Sequence, residues 1–97
     1  MSVSLDDVIL RNDHVLSTDL EGEVVLMHIK SGNYYAFNAT ASRIWQIIGV
    51  ATGVADLRDQ LTAEYGEPVE RIESDLLHIL NRFEDAGFIV KPSGTEP

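Results

Sequence analysis

The apolar residues of this chain change their period once, at Asn38, and that switch limits the folds open to it. Before it, residues 14–37 hold three β-rich runs, "HVLST", "EVVLMHI" and "NYYAF", separated by Asp19 to Gly22 and by the Ser31, Gly32 turn. After it, apolar residues recur at three- and four-residue steps as far as Gly87. In the second run Val25, Met27 and Ile29 fall on one face, while Val24, Leu26 and His28 fall on the other. That strand is apolar on both sides, which predicts the middle of a three-stranded meander with the outer runs as its edges.

Asn38 marks the switch because its side-chain oxygen can accept from an orphan amide in the first turn of a helix. Ala41, Ile44, Trp45 and Ile48 then share one stripe, and Gly49 closes the segment. A second helix is predicted over "GVADLRDQLTAEYG", with Val54, Leu57, Leu61 and Tyr65 on its apolar side. Pro68 suits the first turn of a third and longest helix, whose stripe of Val69, Ile72, Leu76, Ile79, Leu80 and Phe83 runs to Gly87. "FIVK" returns as a short strand, and residues 92–97 read as a frayed polar tail. The expected fold class is α+β: a winged-helix-like domain with a three-stranded antiparallel sheet followed by three helices.

Ninety-seven residues make one domain, 1–97, with no room for a second. The net charge of -9 opposes both a phosphate backbone and anionic lipid, so neither nucleic acid nor membrane is expected as a partner. A winged-helix DNA binder is the main rival. Its reading helix would carry only Arg71 and Arg82 against Glu70, Glu73, Asp75, Glu84 and Asp85, too few cations for phosphate contacts. No apolar run approaches the length of a membrane span, and "MSVSLDDVILRND" lacks the basic start and apolar segment of a secretion signal. A cytoplasmic location is expected.

Catalysis finds no foothold in the pattern. The absence of cysteine removes disulfides, thiolate metal sites and a cysteine nucleophile together. Ser74, Asp75 and His78 sit on neighbouring turns of one helix, an arrangement that by itself supplies neither an orienting acid nor an oxyanion hole. Glu70 and Glu73 read as acids at the positive end of a helix. His14, His28 and His78 contain no pair at metal-ligand spacing, and no glycine-rich phosphate loop follows a strand. The expectation is a chain that is no enzyme and has neither metal nor cofactor.

The third strand is the unusual element. Edge strands normally guard their unpaired backbone with lysine or proline, yet residues 33–37 contain neither. Such an edge beside an apolar helix suits strand addition, in which backbone bonds hold an extended peptide and side-chain pockets select it. Two alternatives stay open: the third helix or the amino-terminal segment covers the edge, or two copies pair through it.

These residues resemble the PqqD family, small peptide-binding proteins also called precursor recognition elements of ribosomal peptide natural products. The resemblance covers roughly residues 8–91 and rests on "YYAFN", the "ATASRIW" and "GVADLRDQLTAEYG" helices, and "ESDLLHILNRFEDAGFIV". It implies binding of a precursor's leader segment as a strand added to the third strand, beside the third helix. The peptide-binding residues would then be Asn33, Tyr34, Tyr35, Ala36 and Phe37 on the strand, with Asp75, His78, Ile79 and Arg82 on the helix. It further implies a stand-alone protein, a monomer or weak dimer, that presents the precursor to a separate processing enzyme. That enzyme is a cysteine protease in lasso-peptide pathways or a radical enzyme in pyrroloquinoline quinone synthesis. The family's namesake more often has a cysteine-aspartate-glycine stretch where this chain reads "IIGVATG", which favours the lasso context.

Overall fold

Glu21 and Gly22 both take positive φ, 55° and 88°, the paired left-handed conformation that matches the twist of a two-residue hairpin. They join β2 (Val15–Leu20) to β3 (Glu23–His28), and β4 (Tyr34–Ala36) completes a sheet in the order β2-β3-β4. The expected meander is therefore present, with β3 in the middle. The computed structural model describes residues 3–92, so most of the polar tail expected at 92–97 lies outside the described residues.

Three helices follow: α1 (Ala39–Ile47), α2 (Val54–Tyr65) and α3 (Val69–Asp85). Asn38 caps α1 as its residue type predicts, its side-chain oxygen accepting from the Ala41 N–H at 2.9 Å. Ala41, Ile44, Trp45 and Ile48 are all buried, as are Val54, Leu57 and Leu61 of α2 and Ile72, Leu76, Leu80 and Phe83 of α3. These stripes meet the inner face of the sheet, where Val24 and Leu26 are buried, and form one core.

Two stripes end earlier than their spacing predicts. Tyr65 is 42% exposed and Val69 is 38% exposed, because both flank the α2–α3 turn, where the chain leaves the core to reverse. The second face of β3 also departs from expectation. Val25 and Met27 are only half-buried and Ile29 is exposed, since none of the three helices packs on that side of the sheet.

A second sheet was not legible in the pattern. The segment before the hairpin forms β1 (Val8–Arg11), which pairs antiparallel with β5 (Thr52–Gly53) on one side and β6 (Ile89–Val90) on the other. The predicted "FIVK" return is β6. Ile9 is fully buried, so β1 ties the α1–α2 connection and the end of α3 to the core. Beside it, Val3 is buried and its N–H donates to Asn81 Oδ1 at 2.7 Å. The amino-terminal segment is thus engaged with β5, β6 and α3, and does not pair with β4.

Gly87 ends α3 with φ 80°. The Phe88 N–H donates to Phe83 O at 2.9 Å and the Gly87 N–H to Glu84 O at 3.0 Å, a paired closure that only a left-handed residue at this point permits. A Cβ on Gly87 would also stand 3.1 Å from His28 Nε2. The turn sends Phe88 back toward β4.

Candidate functional site

Backbone geometry decides what β4 offers. In an antiparallel ladder, successive residues alternate between exchanging both backbone bonds with the partner strand and turning both groups away from it. His28 N–H donates to Asn33 O at 3.0 Å and Phe37 N–H to Val24 O at 2.9 Å, while Tyr35 lies opposite Leu26. Asn33, Tyr35 and Phe37 therefore direct their backbone groups into the sheet. Tyr34 and Ala36 direct theirs outward, and these groups have no backbone partner among the described residues.

The outward groups open on a cleft of about 560 Å³ between β4, the start of α1 and the last turns of α3. Its β4 side is formed by Tyr34 to Phe37, and Ile79, Arg82, Phe83 and Ala86 of α3 stand on the other. An aromatic cluster holds the two sides at a fixed separation. Phe37 stacks on Phe83 with ring centroids 4.8 Å apart and planes 13° apart, and Tyr35 meets Phe88 edge-on at 4.7 Å. Trp45 contacts both Phe37 and Phe83 edge-on, at 6.0 and 6.2 Å. Such ring pairs add about 0.5–1.5 kcal/mol each beyond their buried area, so the cleft has a stiff floor.

Of the residues singled out from sequence, Tyr34, Tyr35, Ala36, Phe37, Ile79 and Arg82 line this cleft. Asn33 sits at the mouth of the strand, with its side-chain amide 3.5 Å from the Tyr35 hydroxyl. Asp75 belongs to a smaller neighbouring cleft of about 240 Å³, between α1, α2 and the start of α3. His78 is exposed and lines neither. Sequence reasoning did not name Asn38, Ala41, Phe83, Ala86 and Phe88 as lining residues. Asn38 and Phe83 had visible structural roles, as cap and core, but Phe88 reaches the cleft only because Gly87 reverses the chain.

Charge on the helices is satisfied elsewhere. Glu73 pairs with Arg58 at 3.2 Å, so it serves an α2–α3 contact and is not coupled to Glu70. Arg43 makes two bonds to Glu64, at 2.9 and 2.6 Å, and these hold the Glu64 carboxyl down at about 2. Arg11 lies over the Trp45 ring and donates from Nε to Trp45 O at 3.1 Å; burial lowers its pKa. His14 Nδ1 lies 3.2 Å from Asn12 Oδ1, and among the described residues no group of three or more His, Cys, Asp or Glu could hold a metal ion. None of the helices among them is long and apolar enough to cross a membrane.

Comparison with known proteins agrees with this architecture. The family described as coenzyme PQQ synthesis protein D (PqqD) matches residues 23–89, and the chain belongs to that family, one of non-catalytic binding proteins. Among solved structures, TbiB1 in complex with the TbiA(beta) leader peptide is similar at 27% identity, over 91% of this chain and 99% of that one, with a TM-score of 0.79. Lasso peptide synthetase B1 complexed with the leader peptide shares the fold at 23% identity, over 84% of this chain and 96% of that one, with a TM-score of 0.75. A search of curated proteins gives no significant match.

Proposed function

We propose that this protein binds the leader segment of a ribosomally made precursor peptide by adding it as a strand to β4, and presents it to a separate processing enzyme. The carrying observation is the pair of outward backbone positions, Tyr34 and Ala36, facing a cleft with an apolar helical wall. An extended peptide there gains ladder bonds of about 0.5–1.5 kcal/mol each and buries apolar side chains worth about 1.5–3 kcal/mol apiece. Both similar structures are named as complexes with a leader peptide, which supports the same mode here. Asn33, Asp75 and His78 would take part only at the ends of a longer bound segment.

The context favoured by the likeness to lasso peptide synthetase B1 is a lasso-peptide pathway, in which a leader protease receives the complex in the cytoplasm. The family description favours a second reading, presentation of a precursor to a radical enzyme in cofactor synthesis. The protein would work as a monomer or weak dimer, and added peptide would compete with any pairing of two copies through β4.

The test combines the purified protein with a leader-bearing precursor peptide and a leader protease or radical enzyme that processes it. Processing is expected to accelerate with the protein present, while the protein alone leaves the precursor intact. Turnover by the protein alone, after contaminating protease is excluded, would overturn the proposal.

A further inference from the structure

Among the described residues Arg82 is the only charged side chain lining the cleft, and it forms no ion pair with any of them. Among the chain's seven lysines and arginines this is unusual. Arg43, Arg58, Arg71 and Lys91 all form ion pairs, and Arg11 is bonded to a carbonyl and stacked on Trp45. Lys30, in the β3–β4 turn, is the other cation with no ion pair among the described residues. Arg82 also has a carboxylate near at hand. Asp85 follows three residues later on the same helix, a spacing at which opposite charges meet on its surface, yet no ion pair joins them.

The opposite wall has the same sign. Asn38 and Ala41, at the start of α1, line the cleft across from α3, and the first turn of α1 contains no acidic residue. The partial positive charge of that helix end is therefore unopposed by any side chain of its own turn. A protein of net charge -9 has placed around this recess a cation and a helix start capped only by the neutral Asn38 side chain, and among the described residues no carboxylate lines it.

We infer that the peptide taken by this cleft carries an acidic side chain at the position that passes Arg82, and that Arg82 is a specificity-determining residue for it. The inference rests on the strand-addition reading. An incoming strand would cover the guanidinium and strip water from it, so a neutral or basic peptide residue at that place leaves a covered charge unpaired. An acidic residue satisfies it with charge-assisted bonds. The discrimination is then partly repulsive: the cleft rejects basic peptides as well as attracting acidic ones.

The probe is a yeast-displayed library of random 12-residue peptides, sorted separately against the parent protein and against Arg82→Gln, Arg82→Glu, Glu70→Gln and Ala36→Pro. Circular dichroism checks that each is folded; Arg82 is exposed, so its replacement leaves the core intact. Peptides selected by the parent are expected to share one acidic position. Exchanging that acid for its amide should weaken binding about three- to tenfold in the parent and less than about twofold in Arg82→Gln. Arg82→Glu should turn the preference to lysine or arginine, and Glu70→Gln, an exposed acid of the same helix outside the cleft, should leave it unchanged. Parent-selected peptides with no acidic position, or an acidic preference that survives Arg82→Glu, overturn the inference while leaving strand addition standing. Selection of the same peptides with the same affinity by a folded Ala36→Pro variant overturns strand addition, and the inference falls with it.

Discussion

The sheet has two edges, and they differ in a way that separates a merely open strand from one that faces a cleft. β2 presents the longer edge, six residues against three for β4, and every β2 residue but Val15 is exposed. By the alternation of the ladder, the Val15, Ser17 and Asp19 backbone groups of β2 point outward, as those of Tyr34 and Ala36 do on β4. The backbone opportunity at β2 is at least as large. What sets β4 apart is a wall: neither of the two clefts described above is lined by β2, whereas α3 and Phe88 stand across from β4. Ladder bonds of about 1 kcal/mol each do not overcome the cost of ordering an extended peptide, about 1–2 kcal/mol per residue. Side-chain burial in a facing cleft does.

The largest effect is expected from removing the contact that holds wall and edge together. Phe83→Ala deletes the ring stacked on Phe37 from a site only 4% exposed and should cost about 3–5 kcal/mol of stability, read by urea denaturation. A loss below about 1 kcal/mol would mean that the aromatic cluster does not set the spacing of the cleft.

Proline at matched outward positions compares the edges directly. Ala36→Pro removes a donor facing the cleft and should weaken leader binding at least about tenfold while the fold survives. Ser17→Pro makes the same change on β2 and should leave affinity within about twofold. Tyr35→Pro, at an inward position, should destabilise the sheet itself. Isothermal titration with circular dichroism separates these outcomes, and equal losses from Ala36→Pro and Ser17→Pro would erase the distinction between the edges.

Gly87→Ala tests how Phe88 comes to face β4. The left-handed φ and the 3.1 Å approach to His28 Nε2 should together cost about 1–2 kcal/mol, with a weaker peptide affinity as Phe88 shifts. Unchanged thermal stability would show that the turn does not depend on glycine.

The smallest effect concerns the scaffold and should leave the two edges equally different. The Glu64 carboxyl is held at about 2 by Arg43, below its ordinary value of 4.5, so its stabilisation is complete above about pH 4.5 and disappears as pH falls toward 2. The pair is at the surface, where screening limits its worth to about 1 kcal/mol or less. Glu64→Gln should flatten that part of the acid stability curve without changing leader affinity at neutral pH, since neither residue lines the cleft.

Much of the scaffold was legible because its signals are local. The Asn38 cap, the α1 stripe ending at Ile48, and the two turns that set the order of the meander each depend on residues a few positions apart. The missing lysine and proline in residues 33–37 also singled out the edge that adjoins the cleft, since absence of a guard is itself a local property. The exposed Tyr65 and Val69 show the limit of periodicity: a stripe records which face of a helix is apolar, and not where the core beneath it stops.

The sequence by itself thus determined the strand-then-helix order, the capped start of α1 and the unprotected third strand, all of which follow from period, capping chemistry and turn residues. Only the tertiary structure decided that β1 joins β5 and β6, through pairs such as Val8 with Gly53 and Arg11 with Ile89. Two-residue strands have no period to read and exist only where a distant partner supplies the ladder. The same holds for the cleft. Arg82 and Ile79 share it with Tyr34 and Phe88 while His78 does not, because the packing of Phe83 on Phe37 and Trp45 turns the face of α3 that holds Ile79, Arg82, Phe83 and Ala86 toward the open edge.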